Sequence, residues 1–343
     1  MMAVLPISDE SIRQAAQLLF RGGIVAFPTE TVYGLGADAF NPAALARVFA
    51  VKNRPRFDPL IVHIAALEML ETIADLSLLD TAAQKNLAAL AAHFWPGPLT
   101  LIVPKRDRVP DLATSGLPTV AVRFPAHDAA RRLIAAATGA VAAPSANPFG
   151  YLSPTRAEHV AEMLGAQVDL ILDGGPSSVG LESTVLDLCH GNPRILRPGG
   201  TPKEAIEALI GPVLPDTAAD TAAADTNAGL VSPGLLQSHY APHACLVAHN
   251  TESLYREPGE TGAAFLFFDG ASRDAWLSAH ANPAGITLAV LSETGTLLEA
   301  AAQLFELLHA LDRPDITRIH AQLAPEEGLG AAINDRLRKA EGK

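Results

Sequence analysis

The chain has 343 residues, of which 49% are hydrophobic and 18% are charged. One hydrophobic core rarely serves more than about 250–300 residues, so this length predicts two domains. The formal net charge of −12 argues against a surface built mainly to hold a nucleic-acid backbone. The cysteines, Cys189 and Cys245, form no CxxC pair and fit a reducing compartment. Since neither a secretory signal nor a run of ~20 apolar residues is visible, the expected location is the cytoplasm.

The first predicted elements alternate between helix and strand. An amphipathic helix is predicted from Ser11 to Arg21, ended by two glycines. A short buried strand follows from Ile24 to Phe27. The hydroxyl- and glycine-rich stretch TETVYGLG (29–36) is predicted to be a turn, and the next helix starts at Pro42 behind an asparagine cap. A second buried strand runs from Leu60 to Ile64.

Further elements are predicted as far as the end of the chain. The strands lie at 99–103, 119–124, 140–143, 168–173, 183–187, 194–196, 264–268, 287–291 and 318–321, and the helices at 81–94, 128–137, 158–164, 203–210, 296–311 and from 330 onward. Segment 105–117 is predicted to be an irregular surface loop. The uneven spacing favours a mixed α/β sheet over a doubly wound parallel one. Residues 211–231 have the composition of a linker.

Three short motifs suggest other chemistry, and each lacks an essential part. GLGADA (34–39) has dinucleotide-binding spacing, but the strand ends well before the glycines and the helix begins well after them. Segment 175–180 has the glycine spacing of a P-loop without the lysine that must follow it. His239, His243 and Cys245 have no fourth ligand nearby, so no zinc site is predicted there.

Polar side chains gather at the ends of predicted strands and in the loops after them. They are Thr31, Lys52, Arg54, His63, Thr119, Arg123, Ser145, Ser153, Ser183 and Arg197. Ligands of α/β sheets bind at this edge. Arg123 stands out because it lies within an otherwise apolar strand. The joint pattern, rather than any single member, indicates a site for a small molecule.

At these residues the sequence resembles the YrdC-like family, and in particular its long two-domain threonylcarbamoyl-AMP synthases. The matching blocks are PTETVYGLG (28–36), KNRPRFDPLIVHI (52–64), WPGPLTLIV (95–103), TVAVRFPAH (119–127), APSANPFG (143–150), SPTRAEHV (153–160), GLESTVLD (180–187) and ILRPGG (195–200). SPGLLQSHYAP (232–242) and GLGAAINDR (328–336) resemble features of the long form.

The resemblance implies a fold and a division of the chain. A YrdC-like catalytic domain is expected over residues 1–212, with a twisted mixed α/β sheet and a concave cavity. A linker or lid is expected over 213–243, and a smaller, Rossmann-like α/β domain over 244–343. Gly34 and Gly36 are then expected to be turn residues that shape the cavity wall.

The resemblance also implies an activity. The family condenses L-threonine, bicarbonate and ATP into threonylcarbamoyl-adenylate with release of pyrophosphate, and a separate transferase uses the product to modify tRNA. Mg²⁺ is expected to accompany ATP, with no protein ligand assigned, and neither stable nucleic-acid binding nor membrane binding is expected. Two alternatives remain: an RNA-binding module, and a carbamoyltransferase that handles a carbamoyl-adenylate. The CxxC zinc fingers of the latter are missing from this sequence.

Site roles are implied residue by residue. The residues expected to bind threonine are Thr31, His63, Arg123, Ala143 and Ser183. The residues expected to bind ATP are Arg54, Asp58, Thr119, Ser145, Ser153, Arg197, His239 and Tyr240, and the last two are expected to fold back over the nucleotide. The expected catalytic residues are Lys52 and Arg54. Three positions depart from the family's pattern: Asn53, often glycine; Asp58, often asparagine; and Gln237, usually aromatic.

Overall fold

The computed structural model describes residues 3–215, 239–280 and 285–341, which form two compact units. Of these residues, the first unit contains 3–149, 154–177 and 182–215, and the second contains 150–153, 178–181, 239–280 and 285–341. Most of the expected linker, including Gln237, lies outside the described residues. The domain boundaries at 212 and 243 stay predictions.

The first unit is built on one mixed sheet. Its strands are β1 (Ala3–Pro6), β2 (Val25–Phe27), β3 (Gly34–Asp38), β4 (Ile61–Ile64), β5 (Leu99–Pro104), β6 (Thr119–Arg123), β7 (Ala140–Ala142), β8 (Leu170–Asp173), β9 (Thr184–Asp187), β10 (Arg194–Arg197) and β11 (Leu214–Pro215). Across the sheet they follow the order β1-β8-β2-β3-β7-β4-β6-β5-β9-β10-β11. Since β4 and β6 are parallel while β5 and β6 are antiparallel, the predicted mixed sheet is confirmed.

Several helices of the first unit begin at a side-chain cap, provided by Ser8, Asn41 and Asp80. The helices are α1 (Asp9–Phe20), α2 (Pro42–Lys52), α3 (Leu70–Ile73), α4 (Thr81–Phe94), α5 (Asp111–Thr114), α6 (Asp128–Ala136), α7 (Ala157–Leu164) and α8 (Lys203–Ile210). The Asn41 side chain accepts from the backbone N–H of Ala43 and Ala44, as the predicted cap requires. α2 ends at Asn53, whose φ of 51° is left-handed. Asparagine tolerates this conformation better than most residues, which explains how it replaces glycine here.

The expectation that Gly34 and Gly36 lie in a turn is wrong. They belong to β3, which runs antiparallel to β2 with Val25 opposite Gly36. A Cβ atom on Gly36 would lie 2.7 Å from Cε1 of Phe27 and 2.8 Å from Cγ1 of Val141. The missing side chain thus allows these two apolar groups to pack against the strand. The short helix α5 likewise interrupts the loop expected over 105–117.

We expect Gly36→Ala to lower the free energy of unfolding by about 1–3 kcal/mol, because the added methyl overpacks this face of β3. Gly34→Ala is the comparison, since its added Cβ would meet nothing closer than Cβ of Ala143 at 3.3 Å. Urea unfolding of both variants measures the difference. Equal losses would show that the cost arises from the strand backbone and not from Phe27 and Val141.

The second unit is a smaller parallel α/β domain. Its elements are β12 (Cys245–His249), α9 (Thr251–Leu254), β13 (Ala263–Asp269), α10 (Gly270–Ala279), β14 (Thr287–Ser292), α11 (Leu297–Leu311), β15 (Arg318–Gln322) and α12 (Gly330–Ala340). The strands follow the order β12-β15-β13-β14, and each neighbouring pair in this order is parallel. The predicted smaller α/β domain is confirmed. Within the described ranges, no helix combines the length and the apolar character that crossing a bilayer requires.

Candidate active site

A row of polar side chains crosses the centre of the large sheet. His63 on β4 lies beside Arg123 on β6, and Arg123 lies opposite Thr100 on β5. Residues in register point to the same face of a sheet, and their chain neighbours point to the other. The neighbours Val62 and Val122 accordingly belong to the large apolar core. The strand pattern therefore places the polar row on the opposite face from that core.

Arg123 is held by a hydroxyl and a carboxylate. Its Nη1 donates to Oγ1 of Thr31 at 2.8 Å, and its Nη2 lies 2.6 Å from Oε1 of Glu30. The two charged side chains are only 4% and 8% exposed. Burial alone would raise the pKa of Glu30, but the charge and hydrogen bond of Arg123 together with backbone hydrogen bonds outweigh it, so this pKa lies below its usual value. Arg123 and Glu30 thus form a buried, charged pair.

Glu30 is a site residue that the sequence analysis missed. It lies inside the block PTETVYGLG, directly before the predicted Thr31. A buried arginine requires a counter-charge, because isolated charges are seldom buried. The need for a counter-charge could therefore have predicted an acidic partner for Arg123 among the loops at the strand ends, and Glu30 lies in one of them.

His63 lies next to this pair and is neutral. Burial and, after it, the positive charge of Arg123 lower the pKa of His63 to about 3 from 6.5, against the opposing charge of Glu30. Its Nδ1 lies 3.2 Å from the carbonyl oxygen of Ile61, and the ring of Phe27 meets it edge-on. At neutral pH, His63 therefore offers hydrogen bonds without a charge.

Ser183 links the polar row to a second arginine. Its Oγ lies 2.7 Å from Oγ1 of Thr100, the strand partner of Arg123. Nη2 of Arg197 donates to the carbonyl oxygen of Ser183 at 3.0 Å and contacts its hydroxyl at 3.3 Å. Predicted threonine-binding and ATP-binding residues therefore meet at Ser183.

Two further cations lie at the end of α2 and just beyond it. Nζ of Lys52 donates to the carbonyl oxygens of Ser145 and Asn147, each at 2.5 Å. Arg54 lies 2.8 Å from Oδ1 of Asp58 and also donates to its backbone carbonyl at 3.0 Å. Burial, and then the nearby charge of Arg54, hold the pKa of Lys52 well below its usual value.

Asp58 lies among these cations. Burial raises the pKa of its carboxyl group, and Arg54, Lys52 and Arg197 oppose this shift. The acidic side chain is 1% exposed and pairs with Arg54. Its position compensates the charge of the buried cations, which gives a physical reason for an aspartate at this position.

The remaining predicted residues of the first unit lie at or just after strand ends. Thr119 begins β6 opposite Pro104, whereas Arg123 ends it, so Thr119 lies at the other end of this strand from the polar row. The backbone N–H of Ala143 donates to the carbonyl oxygen of Ile61 at 2.9 Å, and Ser145 forms an isolated bridge with Gly34. All of these positions follow or border the strands that carry the polar row.

Ser153, His239 and Tyr240 belong to the second unit. The backbone N–H of His239 donates to the carbonyl oxygen of Lys339 at 3.1 Å. The guanidinium of Arg336 lies 5.0 Å from the centre of the Tyr240 ring, which is buried. The role of all three residues in binding ATP stays a prediction.

Comparison with known proteins identifies the family. The Sua5/YciO/YrdC family, described as "Telomere recombination", matches residues 17–199, and the "Threonylcarbamoyl-AMP synthase, C-terminal domain" matches residues 201–342. Proteins named threonylcarbamoyl-AMP synthase from Pyrococcus abyssi and Bacillus subtilis are 41% and 40% identical to the chain; each comparison covers 98% of the chain and 95% of the relative.

Solved structures agree with this result. The crystal structure of P. abyssi Sua5 complexed with L-threonine superposes with a TM-score of 0.85 at 38% identity, covering 100% of the chain and 98% of the relative. The resemblance found in the sequence blocks is thereby confirmed over the whole length. The chain belongs to the Sua5/YciO/YrdC family, among the members that carry the threonylcarbamoyl-AMP synthase C-terminal domain.

Proposed function

We propose that this chain joins L-threonine, bicarbonate and ATP into L-threonylcarbamoyl-adenylate and releases pyrophosphate, supplying threonylcarbamoyl groups for tRNA modification. The prediction of an enzyme of this class is borne out by the full-length relatives named threonylcarbamoyl-AMP synthase. The observation that carries the proposal is a set of buried charged and polar side chains. An arginine–glutamate pair lies beside Thr100, whose hydroxyl contacts Ser183 and through it Arg197, and Asp58 is influenced by the charges of Arg54, Lys52 and Arg197.

In this proposal, the polar row binds threonine. The guanidinium of Arg123 pairs with the substrate carboxylate, and Thr31 and Ser183 provide hydroxyls nearby. Neutral His63 donates or accepts a hydrogen bond without adding a second positive charge beside Arg123. Glu30 keeps Arg123 in place, so the guanidinium is oriented before the substrate arrives.

The other end of the network binds the triphosphate. The threonine amine and bicarbonate form a carbamate with loss of water, and a carbamate oxygen attacks the α-phosphorus as the bond to pyrophosphate breaks. Lys52, Arg54 and Arg197 stabilise the negative charge that develops on phosphorus and on the leaving group. The reaction requires no protein nucleophile, because holding carbamate and ATP in line is a matter of proximity.

Mg²⁺ is proposed to enter as a complex with ATP. Of the residues proposed to bind ATP, Asp58 alone carries a carboxylate, and Arg54 already engages it at 2.8 Å. Asp58 therefore does not fit a magnesium ligand in this state. We propose that phosphate oxygens of ATP and water molecules coordinate Mg²⁺, because this ion loses its bound water reluctantly.

The test is pyrophosphate release by the purified full-length chain. The proposal requires release to depend on ATP, threonine and bicarbonate together. Use of carbamoyl phosphate without threonine would instead identify a carbamoyltransferase. Tight, salt-dependent binding of tRNA in the absence of ATP would favour an RNA-binding module.

Asp58→Asn provides a sharper test of the phosphate end. We expect the KM for ATP to fall by about 3- to 10-fold, because one negative charge is removed from beside the phosphate-binding cations. Asp111→Asn, at a carboxylate that is 81% exposed, is the matched control and should leave the KM unchanged. A higher KM together with a higher Mg²⁺ requirement would instead make Asp58 a magnesium ligand.

A further inference from the structure

Two buried histidines meet in the second unit, and neither is among the residues assigned to the proposed threonine and ATP sites. His249 ends β12 and His320 lies on the neighbouring strand β15, with Nε2 of His249 3.0 Å from Nδ1 of His320. Phe265 stacks on the His320 ring at 4.8 Å, with 18° between the planes. Both histidines are less than one-tenth exposed. Packing therefore fixes the ring positions.

A carboxylate completes the group. Glu257 is half-buried, and one of its oxygens and one ring nitrogen of each histidine lie within 4.8 Å of one another. In a tetrahedral zinc site with bonds of about 2.1 Å, ligand atoms lie roughly 3.4 Å apart. The two ring nitrogens are 3.0 Å apart, so they would separate by about 0.4 Å on binding a metal, and rotation of the half-buried Glu257 would bring its oxygen, which lies within 4.8 Å of both, closer.

The charges around the group favour a cation. Burial, the first cause for each, lowers the pKa of His249 and of His320, so both rings are neutral at neutral pH, as metal binding requires. Glu257 and Glu341 act on His249, and Glu257 and Glu260 act on His320, while Arg318 opposes them. A hydrogen bond between the rings accounts for the histidine pair but not for the carboxylate beside it.

We propose that His249, His320 and Glu257 form a binding site for a divalent transition metal of the zinc type. Two imidazoles and one carboxylate suit Zn²⁺ and its neighbours and leave a fourth position for water. The metal would tie β12, β15 and the segment after α9 together. The site shares no residue with the proposed threonine and ATP sites.

The test uses Zn²⁺ alone with the intact chain, without nucleotide. After metal removal, the wild type should bind one equivalent of Zn²⁺ by elemental analysis following dialysis, and Zn²⁺ should raise its Tm. Glu257→Gln, at a half-buried side chain that the core does not depend on, should weaken binding by at least 10-fold. Glu260→Gln is the matched control, because Glu260 is exposed, its charge acts on His320, and it is not one of the three grouped residues.

A second variant and a second metal make the test decisive. His249→Gln should abolish the bound equivalent, and Co²⁺ should give the absorption of a tetrahedral complex with the wild type. The proposal is overturned if the wild type binds no Zn²⁺, or if Glu257→Gln binds it as tightly as Glu260→Gln. The histidine pair would then be a hydrogen-bonded part of the core.

Discussion

Arg123→Ala is expected to raise the KM for threonine by about 100-fold or more while nucleotide binding stays measurable. The substitution removes the proposed partner of the substrate carboxylate, and losing one member of a buried charged pair costs about 2–5 kcal/mol. Pyrophosphate release at varied threonine measures the first effect, and equilibrium binding of an ATP analogue measures the second. Equal losses of both would show that Arg123 does not act on threonine specifically.

The buried pair requires controls for folding. Arg123→Ala leaves Glu30 without its ion-pair partner at 2.6 Å, and an uncompensated buried charge destabilises a protein by about 3–5 kcal/mol. The double variant Glu30→Gln/Arg123→Ala removes both charges and should recover much of this stability without recovering threonine affinity. Arg131→Ala, on the outer part of α6, should alter neither property.

Much of the fold could be predicted from local sequence. The strands with apolar runs and the helices with caps lie close to where they were expected, as Asn41 and Pro42 illustrate at the start of α2. The strand β3 was not foreseen, because glycines normally indicate a turn and here they serve close packing against Phe27 and Val141. Such packing depends on residues distant in sequence, and no local pattern contains it.

The site was only partly predictable for a similar reason. The cations and hydroxyls were visible as a cluster at strand ends, and the register of β4 and β6 brings His63 and Arg123 together. What sequence could not show was which charges pair. Glu30 meets Arg123 and Asp58 meets Arg54 only because loops and strands converge in the fold. The acidic half of the network therefore emerged from the structure.

His63 should make the free energy of unfolding fall as the pH is lowered, and substitution of His63 should remove this contribution. Below its ordinary pKa of 6.5, the unfolded chain binds a proton at His63, whereas the folded chain does not until the pH approaches about 3. Because the unfolded state then holds more protons, the free energy of unfolding falls as the pH falls, by up to about 1.4 kcal/mol per pH unit. This loss is absent above about pH 6.5 and grows towards pH 3.

Comparing His63→Gln with the wild type isolates this effect, since other titrating groups contribute equally to both proteins. Between pH 6 and pH 4.5, the unfolding free energy of the variant should depend less steeply on pH than that of the wild type. The two slopes should differ by about 1.4 kcal/mol per pH unit, which corresponds to the uptake of about one proton on unfolding. Urea unfolding at several pH values measures both slopes. His93→Gln, at an exposed position, is the matched control and should keep the slope of the wild type. If His63→Gln also keeps that slope, the folded protein takes up a proton at His63 near pH 6, and the neutral imidazole proposed beside Arg123 is incorrect.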